Sequence, residues 1–143
     1  MFKKILVPID PAEPAFAEDA LAKAGQLAKD YKSKVHLLAV CPEVQSFVAS
    51  QLPKGFQEKE IVETKSMLQG VADKLGIGSD LVSAEVRVGV VDSEVIDAAK
   101  DSGSDLIVMT SHKPGLSTYF IGSHAAHIVR HAPCSVMVLR GEA

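Results

Sequence analysis

The residues best able to do chemistry fall in two places. Asp10 closes the apolar run that begins at Lys3, and the polar stretch Ser111-His112-Lys113-Pro114 follows the apolar run Leu106 to Thr110 and leads on to Gly122-Ser123. A Gly-Ser pair at the start of a helix presents unpaired amides and partial positive charge, the features that hold a phosphate. Gly122 lets main chain approach an anion closely, Ser123 adds a hydroxyl donor, and Lys113 or His112 adds charge. Serine also caps helices that bind nothing, so the motif alone is compatible with a phosphate site and with an ordinary helix start. Asp10 is open in the same way, as a ligand contact or as an acidic flank that stabilises the following helix through its dipole.

Other constellations carry less. His124, His127 and His131 recur at steps of three and four, which places them on one helical face, and His112 is a candidate fourth ligand for zinc. No carboxylate or thiolate sits in that helix, and a histidine near a helix C-terminus is favoured without any metal, so no metal site built from protein side chains alone is expected. Ser111, His112 and Asp10 could be assembled on paper into a hydrolase triad, but the G-x-S-x-G elbow is missing. Neither G-x-G-x-x-G nor G-x-x-x-x-G-K-[ST] occurs, which argues against a dinucleotide dehydrogenase or a P-loop motor. Efficient phosphoryl transfer needs a positioned metal, charge on the leaving phosphate and an oriented water. Asp10, Lys113 and His112 supply parts of that set, but no water-orienting residue stands out, so slow hydrolysis at most is expected and no catalytic residue is assigned.

Positioning Asp10 and the stretch after Met109 is the work of alternating elements. Lys3 to Asp10 is too short for a buried helix and reads as a strand, with Pro8 marking its end because proline cannot donate to a ladder. Ala17, Ala20, Leu21, Ala24, Leu27, Ala28 and Tyr31 recur at helical spacing. Lys34 to Cys41 is a second strand, followed by an uneven connection with room for a helical turn around Val44 to Leu52. Ile61, Thr64, Leu68, Val71, Ala72 and Leu75 restore the helical period, with stops at Gly76 and Gly78. Val82 to Val88 alternates with Glu85 and Arg87, as a strand with one wet face at a sheet edge does. Ser93 is a candidate cap for a helix that ends at Ser102-Gly103. Leu106 to Thr110, the most continuously apolar run, reads as a central strand, and a helix from Gly122-Ser123 through His131 precedes a last strand, Ser135 to Arg140.

This β-α alternation calls for right-handed crossovers and a parallel sheet with helices on both faces. In such open sheets ligands bind outside the carboxyl ends of strands where the strand order reverses. Strands one and four deliver Asp10 and the segment from Met109 to Pro114 to such a crevice. Gly89, between Val88 and Val90, reads chiefly as a tight turn.

Composition bounds the function. At 143 residues, 47% of them hydrophobic and 23% charged, the chain suits one globular domain, 1–143, with a core that needs no disulfide or structural metal. A net charge of -3 with scattered Lys and Arg leaves no basic footprint for nucleic acid. No apolar stretch is long enough to cross a bilayer, and the N-terminus has no secretory pattern, which makes the cytoplasm the expected location. Cys41 and Cys134 lack metal or redox spacing and read as small buried hydrophobes. The terminal strand is a candidate exposed edge, and edges that pair with a second copy remove unpaired backbone groups.

Taken together, Ile5-Leu6-Val7-Pro8-Ile9-Asp10, Asp105-Leu106-Ile107-Val108-Met109, and Gly122-Ser123 followed by Val129-Arg130-His131-Ala132-Pro133-Cys134-Ser135-Val136-Met137-Val138 resemble the universal stress protein family over the whole chain. Many members bind ATP through a loop patterned G-x-x-G-x(9)-G-[ST]. Here Thr110 and Lys113 stand at the first two glycine positions, and the spacer to Gly122 is one residue shorter. The run Ser111-His112-Lys113-Pro114, with Ser117 to Ser123 behind it, is similar instead to the F-type branch, which carries Ser-His-Arg-Pro there. The resemblance implies a five-stranded doubly wound sheet of order 3-2-1-4-5, adenine nucleotide alpha hydrolase-like. It also implies ATP or AMP with Mg2+ or Mn2+, and a homodimer through Ser135 to Arg140. Carried over by position, it assigns Pro8, Ile9 and Asp10 to the nucleotide, with Asp10 at the ribose or a nucleotide-bound metal. Val40 backbone groups would meet the adenine edge and Met109 the base or ribose. Ser111, His112, Lys113, Pro114, Gly122, Ser123 and His124 would surround the phosphates.

Three functions remain: a nucleotide-binding stress-response regulator or sensor, a small enzyme hydrolysing or transferring phosphate at the same crevice, and a nucleotide-free interaction protein.

Overall fold

The computed structural model describes residues 1–111 and 123–140. Strands β1 (Lys4–Ile9), β2 (Lys34–Cys41), β3 (Val82–Val88), β4 (Leu106–Ser111) and β5 (Ser135–Arg140) form one parallel sheet of order β3-β2-β1-β4-β5. The helices between them are α1 (Glu18–Tyr31), the single turn α2 (Ser46–Ala49), α3 (Phe56–Asp73), α4 (Val91–Ser102) and α5 (Ser123–His131).

Alternation along each strand divides the core into two layers. Ile5, Val7, Ile9, Val35, Leu37 and Val108 face one way and pack on Ala20, Ala24 and Ala28 of α1 and Leu68 of α3. Leu6, Leu38, Val40, Ile107 and Met109 face the other way, under Val95 and Ala99 of α4 and Ile128 of α5. The alanine stripe of α1, spaced by four, gives the sheet a smooth surface to lie against. β4, read as central, is interior beside β1, and β3, read as a wet-faced edge, is an edge.

Three boundaries differ from expectation. Pro8 does not end β1; it lies inside the strand, in register with Leu38, and Ile9 still pairs with Ala39. Helix α3 begins at Phe56 rather than near Ile61, because Gly55 adopts a left-handed φ of 82° that turns the chain into it. Helix α4 begins at Val91, with Val90 rather than Ser93 at the capping position. Its end is as expected, at Gly103 with φ 69°.

Pro8 matters to the shape of the molecule. The Lys4 carbonyl accepts from the Asp105 N–H at 2.9 Å, so Lys4, Leu6 and Pro8 turn their main-chain groups toward β4. Pro8 has no N–H to offer. The β1–β4 ladder consists of Ile5↔Leu106 and Leu6↔Ile107 and stops there, although both strands run on. At the other end Asp105 holds the strands together, its carboxylate accepting the Lys3 N–H at 2.8 Å and the Lys4 N–H at 3.1 Å. The central strands are thus pinned to each other where they start and unpaired from each other where they finish.

Candidate functional site

The unpaired finish of β1 and β4 is the crevice that sheet topology selects, and it lies at the strand-order reversal. Asp10, at its rim, is 7% exposed. Its Oδ1 accepts the Ala12 N–H at 2.9 Å and its carbonyl accepts the Glu13 N–H at 3.2 Å, a turn that fixes the carboxylate before the chain enters α1. Asp10 therefore shapes the turn and leaves Oδ2 for another partner. The residues before it differ in what they can offer: Pro8 is buried, and Ile9 directs its side chain into the α1 layer of the core.

Val40 lies on the other side of β1 from that gap, with its backbone facing the end of β1. The Lys34 N–H donates to the Lys3 carbonyl at 2.9 Å, so even-numbered residues of β2 turn their main-chain groups toward β1. Continuing that pattern, the Val40 carbonyl meets the level of Pro11, which again has no N–H. Two prolines, Pro8 and Pro11, thus withhold ladder donors from the two sides of β1 at the same end of the sheet.

From β4, Met109 is fully buried in the α4/α5 layer, and Ser111 is partly buried, in register with Arg140. Thr110, between them, has an enclosed Oγ1 with no hydrogen-bond partner among the described residues. An enclosed polar atom calls for a hydrogen-bond partner, and at the end of a strand beside a crevice a ligand atom could fill that role.

Helix α5 begins on this side of the sheet with Ser123, which is exposed, and His124, which is partly buried. His112, Lys113, Pro114 and Gly122 lie outside the described residues. His124 is not given over to the crevice alone: its Nδ1 stands 3.6 Å from Asp92 Oδ1, and His127 Nδ1 stands 3.6 Å from Asp92 Oδ2. His127 also stacks on His131, ring centroids 4.5 Å apart. The carboxylate lacking in α5 itself is thus supplied by the first turn of α4, a contact between helices that no pattern within α5 could show. No group of three histidine, cysteine or acidic side chains suited to a metal ion occurs among the described residues.

Gly89 takes the role of a turn. It adopts φ 153°, its N–H donates to the Cys41 carbonyl at 3.0 Å, and a Cβ there would lie 2.8 Å from Glu94 Oε2. Cys41 and Cys134 are both free thiols, and burial pushes both up from the usual thiol range. No helix among the described residues is long and apolar enough to cross a membrane.

Comparison with known proteins agrees with this architecture. The model of the universal stress protein family matches residues 1–140. Universal stress protein G of Shigella flexneri is 32% identical, the alignment covering 98% of this chain and 100% of that one. Among solved structures, the protein MJ0577, described in a structure-based assignment of biochemical function, is 27% identical with a TM-score of 0.79 and coverage of 100% and 99%. A universal stress protein crystallised in complex with cAMP shares the fold, with a TM-score of 0.66 at 17% identity and coverage of 96% and 97%.

Proposed function

The chain belongs to the universal stress protein family, and we propose that it binds an adenine nucleotide, ATP or AMP with Mg2+ or Mn2+, in the crevice between β1 and β4. On this reading it is a cytoplasmic stress-response regulator or sensor with slow or no hydrolysis. One observation supports the reading: two interior strands stop pairing with each other at Leu6↔Ile107 while running on toward Asp10 and Ser111, and the enclosed Thr110 hydroxyl beside them has no partner among the described residues. Such a gap, with apolar walls and a few convergent polar groups, suits a flat base and a polar sugar. A protein of the same fold crystallised with cAMP supports the choice of a nucleotide.

The residues fit the ligand in chemical type. The Val40 backbone offers hydrogen bonds to a base edge, with Pro8 and Ile9 forming the strand wall and Met109 apolar surface behind it. The remaining oxygen of Asp10 suits a ribose hydroxyl or the divalent ion that a nucleotide carries. Ser111, Ser123 and His124, with His112, Lys113 and Gly122, supply donors and charge for phosphate, which the resemblance also sets beside Pro114. Bound Mg2+ would screen phosphate charge, and the chain's own part would be to orient and enclose the nucleotide.

Thermal melting with and without ATP and Mg2+ tests the proposal. A ligand at 100 times its Kd stabilises the folded state by about 2.7 kcal/mol, which for a domain of this size raises Tm by roughly 5–10 °C. Asp10→Ala should lose most of that rise. No shift at millimolar nucleotide, ATP and AMP alike, would overturn nucleotide binding and favour an interaction protein. Turnover at the rate of dedicated ATPases would overturn the regulatory reading.

A further inference from the structure

A second constellation lies far from the crevice. His36 is four residues before Val40 along β2, about 13 Å toward the other end of the sheet. It pairs in register with Ser83 of β3. His36 Nδ1 lies 2.6 Å from Ser83 Oγ, and His36 Nε2 lies 2.9 Å from Glu85 Oε1. Glu85 is itself held by Arg87, whose Nε donates to Oε2 at 2.9 Å. Arg87 is anchored in turn on Asp101 of α4 at 2.9 Å and lies 3.6 Å from Glu94.

The geometry points to Ser83 as a nucleophile activated by His36 and Glu85, forming an acyl-transfer site at the β3 edge for small esters. Glu85 accepts two hydrogen bonds as a carboxylate, so in the neutral imidazole the proton sits on Nε2 and the Nδ1 lone pair faces Ser83. Nucleophile, base and orienting acid are therefore in hydrogen-bonded sequence. His36 is mostly buried, whereas Ser83 is exposed to an incoming substrate.

The edge supplies an oxyanion donor. The Lys65 ammonium donates to the Ala84 carbonyl, so Ala84 turns its main-chain groups away from β2 and its N–H lies on the outer edge of the sheet. An N–H on the residue after the nucleophile is a suitable donor to the oxyanion of an acyl intermediate.

In the reaction the Ser83 hydroxyl oxygen attacks the ester carbonyl while its proton passes to His36 Nδ1. The bond to the alcohol breaks, the alcohol leaves with that proton, and an acyl-serine ester remains. Water, deprotonated by the same imidazole, then cleaves the acyl-serine to a carboxylic acid and free Ser83. No oxidant, metal or further co-reactant enters.

p-Nitrophenyl acetate tests the site. The full chain should release p-nitrophenolate and carry an acetyl group on the peptide containing Ser83. Ser83→Ala, a change at an exposed position, should remove the adduct, and His36→Gln should slow acylation about 100-fold. Glu85 acts by positioning, so Glu85→Gln should lower kcat while leaving KM near its starting value. An acetyl group found elsewhere but not on Ser83, or p-nitrophenolate release undiminished in Ser83→Ala, would overturn the proposal. If His36→Gln fails to fold, Ser83→Ala decides alone. Nucleotide binding at the crevice would survive either result.

Discussion

Burial alone would push the Glu85 carboxyl up, but hydrogen bonds from His36 and Arg87 outweigh it and hold the group below the usual carboxylate range. A carboxylate lowered on folding contributes stability that is fully present above its unfolded value, about 4.3, and is lost as pH falls through the lowered folded value. Glu85→Gln should therefore cost about 2 kcal/mol at neutral pH. The difference from the parent protein should shrink as pH falls below about 4, in denaturant melts run across that range. An equal loss at pH 7 and pH 3 would show that the carboxylate charge is not what the network uses. The network was invisible in the sequence for a physical reason. His36 sits in an apolar run and Ser83 in an alternating one, and only the parallel register His36↔Ser83 makes them neighbours. Asp10, by contrast, was legible because a strand end is a local signal. Thr110 stood out in the sequence only as a departure at a glycine position, while its lack of a partner among the described residues is a property of packing.

At the scale of elements, the strands were readable because short apolar runs alternate with segments of helical period along the chain, whereas their order in the sheet came from the family resemblance. Helix starts were less so, since Gly55 and Val90 act through backbone angle rather than through capping side chains. The β3–α4 connection shows how tightly such a junction is set. Gly89 combines φ 153° with a position where an added Cβ would meet Glu94 Oε2 at 2.8 Å and its Cγ at 3.1 Å. Gly89→Ala must strain the backbone and also displace Glu94 from Arg87. We expect a loss on the order of 1–3 kcal/mol in chemical denaturation. A change below about 0.5 kcal/mol would mean that the turn relaxes freely. The wedge of Pro8 and Pro11 belongs to this scale too. Each proline was plain to see, but that both withhold donors around one end of β1 follows only from the directions fixed by the Lys4–Asp105 and Lys34–Lys3 bonds.

For the whole molecule the open question is the β5 edge. Met137, Val138 and Leu139 of this edge strand are only partly buried, and Val129 on the neighbouring α5 is 55% exposed. A groove of about 770 Å³ between α5 and the sheet is bordered by Ser111, Val129, Arg130, Val138 and Arg140. A twofold axis across this edge would set β5 antiparallel to its copy, satisfy unpaired backbone groups and cover those side chains. Dimerisation through Ser135–Arg140 therefore follows as a proposal from the exposed edge as well as from the sequence resemblance. Sedimentation at micromolar concentration should show a dimer, and Val129→Lys, which places two like charges near the axis, should shift it toward monomer without lowering the monomer's helical content. Ser111 borders this groove and also ends β4 at the crevice, so a dimer would bring each nucleotide site close to the interface. Nucleotide should then shift the monomer–dimer equilibrium, and the Val129→Lys monomer should bind it less tightly. A wild-type chain that sediments only as monomer would remove the interface, and equal nucleotide affinity in monomer and dimer would remove the coupling.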